Sequence, residues 1–380
     1  MKIQIDGTNT INKGAELMLY AILDQIAKKD LNASVSFNAV GWSDHRKVRT
    51  ILSFERRYIL SHGRYLASIL SKLKLPNRIF TTFYPQKNID VVLDASGFRL
   101  GDQWNHQKDF LENLENYYKK LKTYGTKIIL LPQAFGPFYT DSGKKSAEIL
   151  SKYADLIIAR ESLSKRYLME AGVATDKILL YPDFTLSLKG IIPVEYQYLK
   201  NYVCVIPNKK ILTHTSIKLA DYVTFLSSII SDIQIKGRRV FLLNHEGKSD
   251  FEICQKINKS LNQQLPVVSG VDCIAIKGII GSSYLVISSR YHGVASSLNQ
   301  GVPCLATSWS HKYELLFQDF ELNDQIIDLN QAKETAQLKI EEILNPTINN
   351  EIRNHLISKN DVLQLTIQKM WEKVWATAEL

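Results

Sequence analysis

The chain has little cysteine: Cys204, Cys254, Cys273 and Cys304 are the only four in 380 residues, and they form no C-x-x-C pair and no metal-site spacing. That excludes a disulfide scaffold and a zinc or iron–sulfur module, and it reads as reduced packing residues in a cytosolic protein. No apolar run approaches the ~20 residues of a membrane span. A basic leader followed by an apolar stretch is also missing, because Met1–Ile5 opens directly into a strand pattern, so a cytoplasmic protein without a signal peptide is expected. No repeat of solenoid period and no low-complexity tract is visible. No cluster of metal-ligating residues is evident either, so a metal-independent, cofactor-free activity is expected.

Acidic residues are scarce in one region. Between Arg46 and Arg78 nine Lys and Arg side chains stand against the single acid Glu55, which accounts for nearly all of the net charge of +9. Ile51, Leu52, Tyr58, Ile59, Tyr65, Leu66, Ile69, Leu70 and Leu73 recur there at helical spacing, so a basic amphipathic helical segment over 46–78 is predicted. Its two readings are a core-facing helix pair with a solvated basic face, and docking on an anionic membrane surface or a pyrophosphate-linked lipid acceptor. Nucleic acid is not expected, since no nucleic-acid module accompanies the charge.

What the chain has in abundance is short apolar strands alternating with helical patterns, the signature of parallel βαβ sheets. Strands are expected near 3–5, 34–38, 91–94, 127–131, 156–159 and 178–181, and again near 202–206, 240–244, 267–269, 285–288 and 304–306. The pattern breaks at Lys189-Gly-Ile-Ile-Pro193. The expected fold is therefore α/β: two doubly wound, Rossmann-like parallel-sheet domains facing a cleft, spanning 1–195 and 196–345, followed by a helical segment 346–380.

Polar residues gather where strands end. Leu285 to Ser288 reads as a buried strand that delivers Arg290 and His292 to a strand-to-helix turn, where a guanidinium, an imidazole and helix N–H groups suit a carboxylate or phosphate. Gly7-Thr-Asn-Thr-Ile-Asn-Lys-Gly-Ala-Glu16 follows the first strand; it either lines an anion site or simply caps a helix, and it lacks the Gly-Lys-Ser/Thr ending of a P-loop. Asp94-Ala-Ser-Gly97 offers close backbone approach or a structural turn. Gln133 is the one ligand-capable side chain in the rigid turn Leu131 to Phe138. Arg160-Glu161 and His245-Glu246, with Asp250 beyond, end two further strands as either surface ion pairs and caps or site residues.

In their order these pieces resemble the polysaccharide pyruvyl transferases, over roughly residues 3 to 320. The resemblance rests on Asn12-Lys-Gly-Ala-Glu16, Gln133-Ala-Phe-Gly-Pro137, Arg160-Glu-Ser-Leu-Ser164, Pro182-Asp183, His245 to Asp250, Ser288 to His292, Gly301 to Pro303 and Lys312. Two positions depart from the family pattern: Ala15 stands where an acid is usual, and Ala95-Ser96-Gly97 replaces a triple glycine.

The resemblance implies a GT-B-like fold, with 1–195 on the acceptor side and 196–345 on the donor side. It implies transfer of the enolpyruvyl unit of phosphoenolpyruvate onto two hydroxyls of a sugar, in a polysaccharide or its lipid-linked precursor, with release of phosphate. Arg290 and Arg160 are then the expected anion clamps and His292 the acid or base. Glu16 is a further catalytic candidate. Asn12, Gly14, Gln133, Asp183, His245 and Lys312 are expected around the substrate. Two alternatives keep the architecture: a glycosyltransferase using a nucleotide sugar, with Arg290 on the diphosphate and Glu246 or Asp250 near a ribose, and a noncatalytic anion- or sugar-binding relative.

Overall fold

The structure, a computed structural model, describes residues 1–29, 33–39, 59–60, 89–307, 312–322, 324–329 and 333–379. The chain divides into two compact units, Met1–Ser187 with Leu365–Leu380, and Leu188–Gln364. Each is built on one parallel sheet.

The first unit carries β1 (Lys2–Asp6), β2 (Ser34–Ala39), β3 (Ile59–Leu60), β4 (Val91–Asp94), β5 (Lys127–Gln133), β6 (Leu156–Ala159) and β7 (Ile178–Leu180), in the spatial order β3-β2-β1-β4-β5-β6-β7. Strands such as Val91-Val-Leu-Asp94 and Leu156-Ile-Ile-Ala159 are buried along their whole length. Such unbroken apolar runs fit a sheet covered on both faces, not one with a wet side. The covering helices are α1 (Lys13–Lys29), α2 (Lys108–Thr123), α3 (Asp141–Tyr153) and α4 (Ser162–Glu170). Leu111, Leu114, Tyr118 and Leu121 return at helical spacing and form the buried stripe of α2, which places Tyr118 over the end of the sheet. Thr140 starts α3 by accepting the Gly143 N–H on its hydroxyl at 3.1 Å. A register shift in the β5–β6 pairing sets Gln133 opposite Ala159.

The second unit repeats the plan with β8 (Val203–Ile206), β9 (Val240–Leu243), β10 (Val267–Val268), β11 (Leu285–Ser288), β12 (Cys304–Thr307) and β13 (Ile326–Ile327), ordered β10-β9-β8-β11-β12-β13. Its principal helices are α5 (Leu219–Ile235), α6 (Gly247–Ser260), α7 (Cys273–Gly281), α8 (Tyr291–Asn299), α9 (Lys312–Asp319), α10 (Lys333–Leu344) and α11 (Pro346–Thr377). All four cysteines are buried free thiols. In both sheets the order reverses at one place, between β1 and β4 and between β8 and β11. Such switch points open a crevice at the carboxyl ends of the strands.

The units part between Ser187 and Leu188, a few residues before the break read at 195, and residues 365–380 group with the first unit. The grouping is carried by the last turns of α11 (Pro346–Thr377), where Trp371 packs edge-on against Phe184 and stacks on Trp375. The basic stretch 46–78 lies outside the described residues except at Ile59–Leu60. There the helical expectation is corrected, because those two residues pair with Asn38 and Ala39 as a parallel strand. Among the described residues no helix is long and apolar enough to cross a membrane.

Candidate active site

In the second unit the switch point gathers three loop starts. Asn208, Lys209 and Lys210 follow β8, His245 and Glu246 follow β9, and Ser289 and Arg290 follow β11. Arg290 stands immediately before α8, whose first turn holds Tyr291 and His292. Its guanidinium is 13% exposed and is gripped by two carboxylates. The Nε donates to Asp250 Oδ2 at 2.8 Å, a second nitrogen lies 2.5 Å from the same oxygen, and Nη1 donates to Glu246 Oε2. Asp250, fully buried in the first turn of α6, also accepts the Lys209 N–H at 3.0 Å. Burial pushes its carboxyl above the ordinary value, and the charge of Arg290 and the Lys209 N–H pull it back.

These groups line a crevice of about 300 Å³ in which Lys209, Lys210, Lys248 and Arg290 face only two carboxylates, Glu246 and Asp250. Four cations against two anions leave a positive hollow at a helix start, the arrangement that receives an oxyanion. His292, partly buried in the first turn of α8, is not among the residues lining the crevice, and its ring stands edge-on to Tyr291 at 5.4 Å between centroids. His245 is buried at the end of β9.

Beneath Arg290 a chain of hydroxyls fixes the turn. The Ser289 hydroxyl bonds the Tyr222 hydroxyl at 2.5 Å and that of Thr307, while the Ser289 carbonyl accepts from Asn208 Nδ2 at 2.8 Å and from the Tyr313 hydroxyl at 2.9 Å. Burial pushes the Tyr222 phenol up to about 12, so it stays a neutral partner across physiological pH. None of these supporting residues stood out in the sequence, because Ser, Tyr and Asn separated by 14 to 81 positions carry no local pattern.

In the first unit the structure brings Gln133, Arg160 and Asp183 together. The Arg160 N–H donates to the Gln133 carbonyl at 3.0 Å, and its guanidinium lies 3.6 Å from Asp183 and 3.4 Å from Glu161. Asp183 also accepts the Thr185 N–H and hydroxyl. Asn12 caps α1, its Oδ1 accepting the Gly14 and Ala15 N–H groups at 2.9 and 3.1 Å. Glu16 is fully buried and ion-paired to Lys13 at 2.9 Å. Asn12 thus supplies the helix cap that was one of the two readings of this loop. Lys312 begins α9, and its side chain falls outside the described residues.

A second polar cluster, at the β1–β4 switch point, was not singled out beyond Asp94. Asp6 and Asp94 are register partners on adjacent strands, both buried. Asp6 accepts from Tyr117 at 2.7 Å and Gln4 at 2.8 Å; Asp94 accepts from Arg99 at 2.6 Å, Tyr118 at 3.2 Å and the Ser96 N–H at 3.0 Å. Burial, then repulsion by Asp94, raises the Asp6 carboxyl above its ordinary value. The available signal was the alternation of Gln4 and Asp6 within an otherwise apolar strand, which marks one face of β1 as polar. Gly7 sits here at φ +79°, and a Cβ on it would lie 2.5 Å from the Ser96 nitrogen, so the two loops can meet only through a glycine.

Two α/β units of this topology define a protein of the GT-B-like class, and solved structures bear the class out. The chain matches Anabaena Alr3699/HepE, a complex with UDP-glucose, at TM-score 0.60 and 14% identity, covering 98% of this chain and 100% of that one. It matches the UDP-GlcNAc 2-epimerase of Neisseria meningitidis, bound to UDP-GlcNAc, at TM-score 0.60 and 10% identity, again over 98% and 100%. Identities this low speak for the fold alone. The family is given by sequence: the polysaccharide pyruvyl transferase model matches residues 12–311, and the chain belongs to that family. A Bacillus subtilis (strain 168) protein named "Putative pyruvyl transferase EpsO" is 29% identical over 105 residues, which is 28% of this chain and 31% of the relative's length.

Proposed function

We propose that the protein moves the enolpyruvyl unit of phosphoenolpyruvate onto two hydroxyls of one sugar in a polysaccharide or its lipid-linked precursor. The observation that carries this reading is the crevice beside Arg290, where Lys209, Lys210, Lys248 and Arg290 outnumber Glu246 and Asp250. It matches a small donor bearing a carboxylate and a phosphate. In the reaction two C–O bonds form at C2 of the donor and its bond to the phosphate oxygen breaks. One hydroxyl proton reaches the methylene carbon, which becomes a methyl group, and the other leaves with phosphate. His292 is the group suited to carry one of these protons near neutral pH. Arg290 and the lysines offset charge on the departing phosphate. Arg160, ion-paired to Asp183 and Glu161, is a second candidate anion contact. No cofactor is required by this scheme.

A nucleotide-sugar transferase is the second reading. It is favoured by Glu246, whose part-exposed carboxylate in the same crevice suits a ribose hydroxyl, and by the UDP-sugars held by the structural neighbours. The test is purified protein with phosphoenolpyruvate and a panel of β-galactosides and lipid-linked glycans, followed by phosphate release and product mass. The expected result is one phosphate per glycan pyruvylated, with His292→Ala folded and slower by roughly 100-fold or more. Consumption of a nucleotide sugar, with no phosphate released from phosphoenolpyruvate on any glycan, would select the second reading.

A further inference from the structure

Arg290 touches two carboxylates whose surroundings differ. Asp250 is fully buried, and one of its oxygens takes both the Nε of Arg290 at 2.8 Å and a second guanidinium nitrogen at 2.5 Å. Its other oxygen is bound by the Lys209 N–H at 3.0 Å. Such a carboxylate is fixed on every side and cannot leave without stranding a buried cation. Glu246 stands on the opposite edge. Its side chain is 27% exposed, it reaches the outer nitrogen Nη1, and it caps none of the N–H groups at the start of α6. It also shares the crevice wall with Lys209, Lys210 and Lys248.

We infer that Glu246 competes with the substrate oxyanion for the outer edge of Arg290 and so sets the affinity and charge selectivity of the crevice, whereas Asp250 positions the guanidinium and stays in place. The inner edge of Arg290 is committed to Asp250, so an incoming oxyanion meets the guanidinium at the nitrogen that Glu246 holds. Two anions on one N–H edge repel each other, and the one with access to water is the one that swings away at little cost. A ligand must therefore carry more charge, or more matched oxygens, than a single carboxylate to take the place of Glu246. A phosphate-bearing acid meets that condition and a plain monocarboxylate does not. Two carboxylates on one arginine then have opposite effects on binding.

This inference rests on the oxyanion reading of the crevice, and the experiment separates the two. Phosphoenolpyruvate, and in parallel inorganic phosphate, is titrated calorimetrically into wild type, Glu246→Gln and Asp250→Asn, with thermal melts as the check on folding. Glu246→Gln is expected to lower the Kd of both anions roughly tenfold, the worth of one charge-assisted contact no longer contested, and Asp250→Asn to raise it. Glu246→Ala gives the same direction if the glutamine variant folds poorly. An unchanged or weaker affinity in the Glu246 variants overturns the inference while leaving the oxyanion site standing. Binding of phosphate but not of phosphoenolpyruvate, tightened by Glu246→Gln, keeps the inference and removes the donor assignment. Binding of neither anion to any of the proteins overturns both.

Discussion

At the scale of single residues the buried acid pair Asp6 and Asp94 shows how location decides chemistry. Asp6 ends β1 beside another carboxylate and away from water, and its carboxyl is raised by burial first and by Asp94 second. A carboxyl whose folded pKa lies above its unfolded value binds its proton more tightly in the native state. Its contribution to stability is thus complete at pH below the ordinary carboxylate range near 4 and is lost as pH rises through the raised value. Asp6→Asn removes that titration, so the melting temperature of the variant relative to wild type should be higher at pH 7 than at pH 4. Equal differences at both pH values would show that Asp6 is ionised as freely in the folded chain as in the unfolded one. Arg290 and His292 were legible because a strand-to-helix turn is a local pattern. The carboxylates that grip Arg290, 40 and 44 positions away, were visible as strand-end residues, but their pairing with it was not. Pairing across strands is decided by sheet order, which no local window contains.

At the scale of elements, the strands were readable because each is a short apolar run closed by a polar turn, and β4, β6 and β11 span the expected residues. β3 and β13 escaped notice. They are two residues each, too short to carry a period of their own, and their conformation is imposed by β2 and β12. The Asn12 loop was read as a helix cap or an anion-lining loop, and the cap is formed, Oδ1 satisfying two N–H groups at the start of α1. Close packing of α7 on the chain that enters the second unit was invisible as well, since glycine identity alone does not name its neighbour. A Cβ on Gly278 would lie 2.1 Å from the carbonyl carbon of Ile191 and 2.4 Å from its oxygen, contacts with backbone that has no side-chain freedom to yield. Gly278→Ala is expected to destabilise the protein by about 1 to 3 kcal/mol or more through this overpacking, read as a fall in denaturation midpoint. An unchanged midpoint would mean that the 190–192 backbone moves at no cost.

At the scale of the whole molecule, alternating strands and helices in two series announced two doubly wound units, and the two sheet orders confirm them. The split near 188 was close to the proline-bearing break in the pattern. The return of residues 365–380 to the first unit was not legible, since it depends on Trp371 finding Phe184 far back in the chain. The family pattern likewise emerges only when weak pieces are taken in order, from Asn12 to Lys312. The account therefore hinges on whether the crevice beside Arg290 holds the donor. The direct measurement is calorimetric titration of phosphoenolpyruvate into wild type and Arg290→Ala, each shown to be folded. Wild type should bind, and the variant should lose about 2 to 5 kcal/mol of binding free energy, the cost of deleting a buried charge-assisted partner. Equal affinity in the two proteins would contradict the assignment of Arg290 as the anion clamp.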